Sequence, residues 1–431
     1  MPNPSALVDA IRAAVGDTAV AAVAIEHDLE PIDGPGSAVS PPTYPSNDVA
    51  EHPYSPEGTV PIPSDGGWLT KLATGEDGRP ASAPLVILDD VQAQSARASQ
   101  ALWEHRVELG GLPGFVLRSD EDRLGNGTNS VEALLADLSL SSWTLSHRHA
   151  DSWIQTAAAN PDGQPVWKSN DDGLADVLTG INSTVDATSA FTYAPNSLLY
   201  GFWLSADTVR RHRQARAYRT RIIGYGARPV RSGATKVDLL PISKASQVDR
   251  AAFGYGPAKT KGSKAKAERT DRPSNLGFGP NPGSVGVHGY GCERIAARGA
   301  ISLQLLRSLQ FGGDRAKQSA AATALTVLGL AGDVLLRRRM FLRSGCDLFA
   351  TASRYGLWRQ GRAVPETLPV DVAADVSWWA QALESALEDC RSVGLEFAAP
   401  VRLYLSEPQR KLVREGAEAL RSGAPVEDGS Q

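Results

Sequence analysis

The sequence RAYRTRIIGYGARPVR, at residues 216–231, carries basic and apolar side chains in partial alternation. Successive side chains of a β-strand project from opposite faces, so the pattern predicts a strand with Arg219 and Arg221 on one face. Arg228 and Arg231 continue the basic pattern beyond that strand. The stretch therefore predicts a sheet that presents arginines on one of its surfaces.

Basic residues are concentrated around this strand, although the net charge of the 431-residue chain is only −4. Residues 209–272 hold seventeen basic and four acidic side chains, whereas residues 1–100 hold four and fourteen. A local excess of Lys and Arg is typical of polyanion binding, because each contact with a phosphate releases counterions. A solvated charged face or a basic loop has the same composition, so that alternative stays open.

The flanking sequence alternates between strand-like and helix-like patterns. LVIL at 85–88 predicts a buried strand, and Asp89 or Asp90 can cap the helix that follows it. Phe191 opens FTYAPNSLLYGFWL, which predicts a turn followed by an aromatic-rich strand. Helices are predicted at about 5–23, after Ser146, from Arg294 onwards, and at 320–339, 375–393 and 407–422.

These patterns divide the chain into four predicted segments. Residues 1–30 form an N-terminal helical segment, and 31–67 form a Pro/Gly-rich loop. Residues 68–400 form the core, with a mobile basic loop at about 256–284, and 401–431 form a C-terminal helix and tail.

A cytoplasmic location is expected from three features. The first apolar stretch is interrupted by charged residues, unlike a signal peptide. The most apolar run, 320–336, contains Asp333 and predicts a buried helix rather than a membrane span. The three cysteines include no CxxC pair, which fits a reducing compartment.

Seven short segments occur in an order and spacing that resemble a known family. They are PPTY at 41–44, DDVQAQSAR at 89–97, SHRHAD at 146–151, APNSLLYGFW at 194–203, the arginine-rich strand at 219–231, RIAARGAISLQLLR at 294–307 and FLRSGCDL at 341–348. Together they resemble the backbone subunit of the type I-G (formerly I-U) CRISPR Cascade complex, a branch of the RAMP superfamily.

The resemblance implies an α+β fold with an RRM-like, ferredoxin-type antiparallel sheet, helices behind it, and large helical and loop insertions. It also implies that copies polymerise along the guide RNA (crRNA), with a protruding hairpin from each copy displacing a base. The remaining bases pair with target DNA. Other subunits of the complex are expected partners, and the chemistry of cleavage and guide processing belongs to them, so this chain is not expected to be an enzyme.

Arginine suits a protein that grips a sugar–phosphate backbone, because its planar fork pairs with phosphate oxygens in a bidentate way. The candidate RNA contacts are Arg219, Arg221, Arg228, Arg231, Lys236, Arg97, Gln94, His147, Arg148 and Arg343. Several have a structural alternative: cross-strand ion pairs for Arg219 and Arg221, a solvated helix face for Gln94 and Arg97, a structural helix start for His147, and bracing of the sheet for Arg343.

Two other classes of protein compete with this interpretation. A metal-dependent hydrolase would use the spacing His147-x-His149-x-Asp151, whose side chains share a face on an extended segment but not on a helix. A structural filament protein would self-associate without RNA. The glycine-rich sequence at 277–291 lacks GxGxxG and GxxxxGK[ST], so no nucleotide cofactor is predicted. The helical pattern of residues 150–159 argues against the metal site, so no metal is predicted.

Overall fold

The structure is a computed structural model in which α-helices and β-strands are mixed. It describes residues 3–42, 58–61, 82–118, 140–161, 163–166, 173–204, 212–232, 248–249, 270–271 and 286–422. The strands are β1 Val20–Pro31, β2 Gly58–Pro61, β3 Ser82–Asp89, β4 Phe115–Arg118, β5 Leu140–Ser141, β6 Phe202–Leu204, β7 His212–Gln214, β8 Tyr218–Tyr225, β9 Arg228–Ser232, β10 Val248–Asp249, β11 Thr270–Asp271, β12 Gly286–Gly291, β13 Arg294–Ser302, β14 Phe341–Arg343, β15 Cys346–Arg359, β16 Glu366–Thr367 and β17 Val401–Tyr404. The helices are α1 Pro4–Gly16, α2 Val91–Glu104, α3 Ser152–Gln155, α4 Leu174–Ile181, α5 Thr188–Tyr193, α6 Pro195–Tyr200, α7 Leu303–Ser308, α8 Arg315–Arg337, α9 Val376–Ser392 and α10 Glu407–Ser422.

The main sheet has the strand order β14-β15-β1-β13-β8-β3-β2, and β16 pairs with the other end of β15. All neighbouring strands are antiparallel. Taken in chain order, the central strands β1, β8, β13 and β15 are arranged 4-1-3-2, with α2 between the first two and α8 between the last two. This is the arrangement of a ferredoxin-like βαββαβ unit. The expected α+β fold is confirmed.

Four helices, α1, α2, α8 and α9, form a layer against one face of this sheet. The central helix α8 lies beside Ile301 of β13 at Gly329, and it shares one continuous apolar core with Val23 and Ile25 of β1. It is long and apolar enough to cross a membrane, but 94% of its most apolar window is buried inside the fold. Burial of this kind is typical of a core helix, as its sequence predicts.

The first strand corrects the expectation of a helix at about 5–23. Helix α1 ends at Gly16, and Val20–Pro31 is the central strand β1. Its buried residues Val23, Ile25 and Leu29 alternate with residues of the other face, which is a strand period. Three alanines, which favour helices, obscure that period in the sequence.

Two further segments differ from the sequence-based expectation. The segment from Arg294 begins as strand β13, and only Leu303–Ser308 is helical. The aromatic segment from Phe191 forms mostly the short helices α5 and α6 before the brief strand β6. The expected helices α8, α9 and α10 are confirmed.

A long ribbon extends from the main sheet. Strands β8 and β13 form an antiparallel pair that continues into the pair β9–β12. The chain bends between them at Gly226. Its φ of +64° is a conformation that glycine adopts readily, and a Cβ at this position would collide with Glu293. Val39 binds the ribbon through two backbone hydrogen bonds with Tyr290, of 2.9 and 2.8 Å.

Among the described residues, the outer side of β15 is covered only at its two ends. Strand β14 pairs near Asp347, and β16 pairs at Gly356 and Leu357. Between them, no strand in the described ranges pairs with β15 on that side. The register of β15 against β1 also shifts between Asp28 and Leu29, which marks a β-bulge.

Two predicted loops lie largely outside the described residues. Of the Pro/Gly-rich segment 31–67, the structure describes 31–42 and the edge strand β2. Of the basic loop at about 256–284, it describes only β11, which pairs with β10. The four predicted segments of the chain remain a prediction.

Candidate nucleic-acid interface

A row of charged side chains crosses the face of the main sheet opposite the helices, which we call the open face. Arg354, Glu26, Arg298 and Arg221 lie directly opposite one another on β15, β1, β13 and β8. The buried carboxylate of Glu26 lies 3.4 Å from Arg298 and 3.5 Å from Arg354. Glu26 therefore fixes the two arginines on either side of it.

Arg221 closes the row at the α2 side. It lies opposite Arg298, and its guanidinium is 3.2 Å from Asp90, the N-cap residue of α2. Both partners of this ion pair are nearly half exposed. Exposed ion pairs contribute little to stability, so Arg221 can exchange Asp90 for another anion at low cost.

A groove of about 420 Å³ lies over the middle of the open face. Its floor contains the small residues Ala24, Gly299 and Ala300, and its sides include Arg219, Arg221, Ile223, Arg298 and Trp358. Arg219 is exposed and has no ion pair with any described carboxylate. A Cβ at Gly299 would collide with the carbonyl oxygen of Arg219, so the absence of a side chain there allows β8 and β13 to pair closely.

A second acidic residue, Asp28, organises the neighbouring part of the face. Arg354 Nη2 donates a hydrogen bond of 2.6 Å to one of its oxygens, and Arg294 donates to the other. Partial burial raises the pKa of Asp28, but the hydrogen bonds from Arg294 and Arg354 outweigh it and hold that pKa below its ordinary value. Around Glu26 and Asp28 the face thus carries five arginines, a local excess of positive charge, although Glu30 lies on the same side of β1.

Three of these arginines were missed by sequence reasoning. Arg294, Arg298 and Arg354 share the open face with the predicted Arg219 and Arg221. Arg294 and Arg298 are four residues apart, a spacing that fits one face of a helix as well as one face of a strand. Ile295, Ala296 and Ala297 are buried in succession, so no alternation in this segment identifies the strand either.

The predicted contacts Arg228 and Arg231 lie on the ribbon rather than on the main sheet. Both are exposed, and Arg228 pairs with Glu293 at 3.0 Å. Arg231 lies opposite Val287 on β12. Lys236 lies outside the described residues. The four predicted arginines therefore lie on two consecutive strands, Arg219 and Arg221 on β8 and Arg228 and Arg231 on β9.

Three other predicted contacts converge on the buried carboxylate of Asp89, at the end of β3. Gln94 donates to it at 2.6 Å, Arg97 at 3.1 Å and Arg343 at 3.0 Å. Gln94 is fully buried, and its amide oxygen accepts a hydrogen bond from Arg337. Gln94 and Arg97 do share a helix face, but that face is directed at Asp89 and not at solvent. These three side chains brace β3, α2 and β14.

The His147–Asp151 segment forms a 3₁₀ turn at Arg148–Ala150 followed by α3. His147 is exposed, whereas Arg148 and His149 are buried. His149 Nδ1 lies 2.7 Å from Ser197 Oγ, and its Nε2 lies 3.1 Å from Asn182 Oδ1. Asp151 caps α3 by accepting from the backbone of Trp153.

This geometry gives no support to the hydrolase alternative. Both ring nitrogens of His149 make hydrogen bonds, one as donor and one as acceptor, so the lone pair of the unprotonated nitrogen is not available to a metal. Within the described ranges, no group of three or more His, Cys, Asp or Glu side chains is placed to hold a metal ion.

A buried polar network lies beneath the open face. Asp333 of α8 accepts hydrogen bonds from Tyr218 at 2.6 Å, Tyr355 at 2.8 Å and Arg337 at 3.0 Å, and lies 2.7 Å from His27 Nε2. Burial raises the pKa of Asp333, but the charge of Arg337 and the donors around it outweigh burial and hold the pKa well below its ordinary value. The ionised carboxylate ties the helix layer to three strands of the sheet.

Of the aromatic residues at 200–203, only one is accessible. Tyr200 and Phe202 are buried in the core, whereas Trp203 is 55% exposed on the β6–β7 hairpin. Trp203 lies opposite the exposed Arg213. A stacking role is therefore open to Trp203 and closed to the other two.

Part of the chain matches the model of a known protein family. Residues 23–229 match the family model described as CRISPR-associated protein GSU0053. No curated protein matches the chain. The matched segment runs from β1 to the start of β9 and contains Arg219, Arg221 and Arg228. The match indicates a CRISPR-associated protein, consistent with a subunit of a Cascade-type complex.

Proposed function

From its match to a CRISPR-associated family, we propose that this chain is a guide-RNA-binding backbone subunit of a type I CRISPR effector complex, of the I-G branch. The observation that carries the proposal is the arginine row on the open face of a ferredoxin-like sheet. In this role the chain holds the sugar–phosphate backbone of the guide and catalyses no reaction itself.

The arrangement of charges supports backbone contacts rather than base recognition. Arg219, Arg221 and Arg298 line one groove and are spread over two adjacent strands, as an extended phosphate chain requires. Glu26 and Asp28 orient some of the arginines without neutralising the face. Because phosphate contacts carry no sequence information, such a face can hold guides of any sequence.

The ribbon β9–β12 is our candidate for the protruding hairpin that displaces a base. It continues the two strands that carry Arg221 and Arg298, and it presents Arg228 and Arg231 beyond the main sheet. RNA that follows the open face therefore meets the ribbon next. Copies of the chain, other subunits of the complex and the target DNA strand are the proposed partners, in the cytoplasm.

The direct test is binding of single-stranded RNA of mixed sequence by the purified chain, measured by fluorescence anisotropy over a range of salt concentrations. We expect the affinity to fall steeply as salt rises, with a slope set by the number of phosphates contacted. Native mass spectrometry with a long RNA is expected to show successive additions of one protein mass. An RNA affinity that does not change with salt concentration would contradict the proposal, as would a strict one-to-one complex on the long RNA.

Self-association in the absence of RNA, with no salt-sensitive RNA binding, would instead identify a structural filament protein. Stoichiometric zinc or manganese in the pure protein would favour the hydrolase. Both measurements are made on the same preparation.

A further inference from the structure

Two arginines beside the β6–β7 hairpin have no carboxylate partner among the described residues. Arg148 follows His147 in the 3₁₀ turn and is only 5% exposed. Arg216 precedes β8 and is partly exposed. The Nε atoms of both guanidinium groups are buried and have no hydrogen-bond partner.

The turn at Tyr200 and Gly201 brings these two side chains together. The guanidinium carbon of Arg148 lies 5.4 Å from the centroid of the Tyr200 ring. Gly201 has a φ of +73°, and a Cβ on it would lie 3.0 Å from Cγ of Arg216. The glycine thus leaves room for the stem of Arg216 against the turn that also supports Arg148.

Arg148 is held in an unfavourable backbone conformation. Its φ of +57° is the only positive value among the described residues other than glycine. For a long side chain this conformation costs energy, and such strain is concentrated at functional sites. Its side chain makes one described hydrogen bond, from Nη1 to the backbone oxygen of Ser146 at 3.2 Å.

The electrostatic balance at this position is unfavourable without a further group. Burial, together with a smaller contribution from the charge of Arg216, lowers the pKa of Arg148 to about 10, although Tyr200 acts in the opposite direction. A buried cation is normally paired with an anion, because its lost hydration must be replaced. Here the two cations flank the same turn at Tyr200 and Gly201, and no described carboxylate replaces that hydration.

We propose that Arg148 and Arg216 form a binding site for a phosphate group. A phosphate oxygen can accept from both guanidinium groups and offset the repulsion between them. Arg216 reaches the surface and is the residue that an incoming anion meets first. The phosphate belongs either to the RNA backbone, continuing the path of Arg219 away from the ribbon, or to a free phosphate ion. Only the first source rests on the proposed function.

The test of the site itself is thermal unfolding in inorganic phosphate, compared with chloride at equal ionic strength. We expect phosphate to raise the melting temperature of the wild type in a saturable way, and Arg216→Gln to lose this response. Arg213→Gln, three residues away and exposed on β7 opposite Trp203, is the matched control and should respond as the wild type does.

An equal response of wild type and Arg216→Gln to phosphate would overturn the proposal, as would a wild-type response no larger than that to chloride. If Arg216→Gln unfolds too early to compare, Arg148→Gln is measured in its place, with the same expectation. Loss of repulsion predicts that Arg216→Gln melts no lower than Arg213→Gln in phosphate-free buffer.

A second measurement identifies the source of the phosphate. If RNA supplies it, Arg216→Gln lowers the salt slope of RNA binding by about 0.7, the value of one phosphate contact on a single strand. The control here is Arg315→Gln, in the helix layer. An unchanged slope with an intact phosphate response assigns the site to a free ion. If the wild-type protein binds no RNA but responds to phosphate, the proposed function is wrong and the phosphate site is still supported.

Discussion

Arg298 and Arg221 lie directly opposite each other on adjacent strands of the open face, two cations in register. Like charges at such positions repel and destabilise a sheet. Glu26 and Asp90 offset the repulsion from the two sides of this arginine pair, but both ion pairs include a substantially exposed arginine. A protein that keeps this arrangement has an anion available to complete it, and a phosphate backbone is the anion that we propose.

The first prediction concerns the groove. Arg219→Ala combined with Arg221→Ala should weaken RNA binding and lower its salt slope by about 1.4, because each phosphate contact on a single strand contributes about 0.7. Both side chains are exposed, so the fold should be retained. The measurement is anisotropy at several salt concentrations, with circular dichroism to verify folding.

The charge-matched control for this experiment is Arg315→Ala combined with Lys317→Ala, in the first turn of α8. It removes the same charge from the helix layer and should leave the slope unchanged. If both double variants lose the same affinity, the effect comes from net charge and not from the groove.

The second prediction concerns Asp333. Asp333→Asn should lower the free energy of unfolding by about 3–5 kcal/mol, because it leaves the buried Arg337 without its counter-charge. Urea unfolding at neutral pH measures the change. Asp9→Asn, which removes an exposed carboxylate, should change it by less than about 0.5 kcal/mol. A loss below about 1 kcal/mol for Asp333→Asn would show that the network does not hold the helix layer to the sheet.

The third prediction is a pH dependence of stability caused by His149. Burial lowers the pKa of His149 to about 4, below the value near 6.5 of the unfolded chain. The folded state therefore favours the neutral ring, and the stability it contributes is present above pH 6.5 and lost as the pH falls towards 4. Integration over that window gives at most about 3 kcal/mol.

Urea unfolding of wild type and His149→Gln across this pH window measures that contribution. The variant should show a flatter dependence, whatever its stability at pH 7. His147→Gln, at the exposed histidine two residues earlier, should keep the slope of the wild type. Parallel curves for wild type and His149→Gln would exclude this histidine as the cause.

The fourth prediction concerns Gly299. Gly299→Ala should destabilise the protein by several kcal/mol, because its Cβ collides with the backbone of Arg219 and Thr220 and forces β8 away from β13. Thermal unfolding measures the effect. Gly16→Ala, at the end of α1 where a Cβ meets no atom within 4 Å, should be neutral or slightly stabilising. Comparable melting temperatures for the two variants would contradict the close approach of the strands.

The sequence predicts local elements well where one period dominates. The alternation around Arg219 identifies β8, and the apolar run near Asp333 identifies a buried helix. It fails for β1 and for the segment from Arg294, because alanines and four-residue spacings fit a helix and a strand equally well. Those two strands are neighbours in the sheet, so only the tertiary pairing resolves them.

The candidate site was predictable only in part, for a related reason. Arg219 and Arg221 are two residues apart in one strand, so their side chains project from the same face of the sheet. The sequence suggests that the side chains of Gln94, Arg97 and Arg343 face solvent. In the structure they point towards the carboxylate of Asp89, whose burial no local sequence pattern reveals. The ion pairs of Glu26 join residues more than 250 positions apart, which no spacing rule can anticipate.

The partly covered outer side of β15 has a consequence for how the molecule avoids aggregation. An uncovered edge with regular geometry can template further strands and lead to fibrils. Here the bulge beside Asp28 breaks the repeat, and the short strands β14 and β16 occupy both ends. The uncovered stretch between them is interrupted by that bulge, which makes it a poorer template for a foreign strand than a regular edge of the same length.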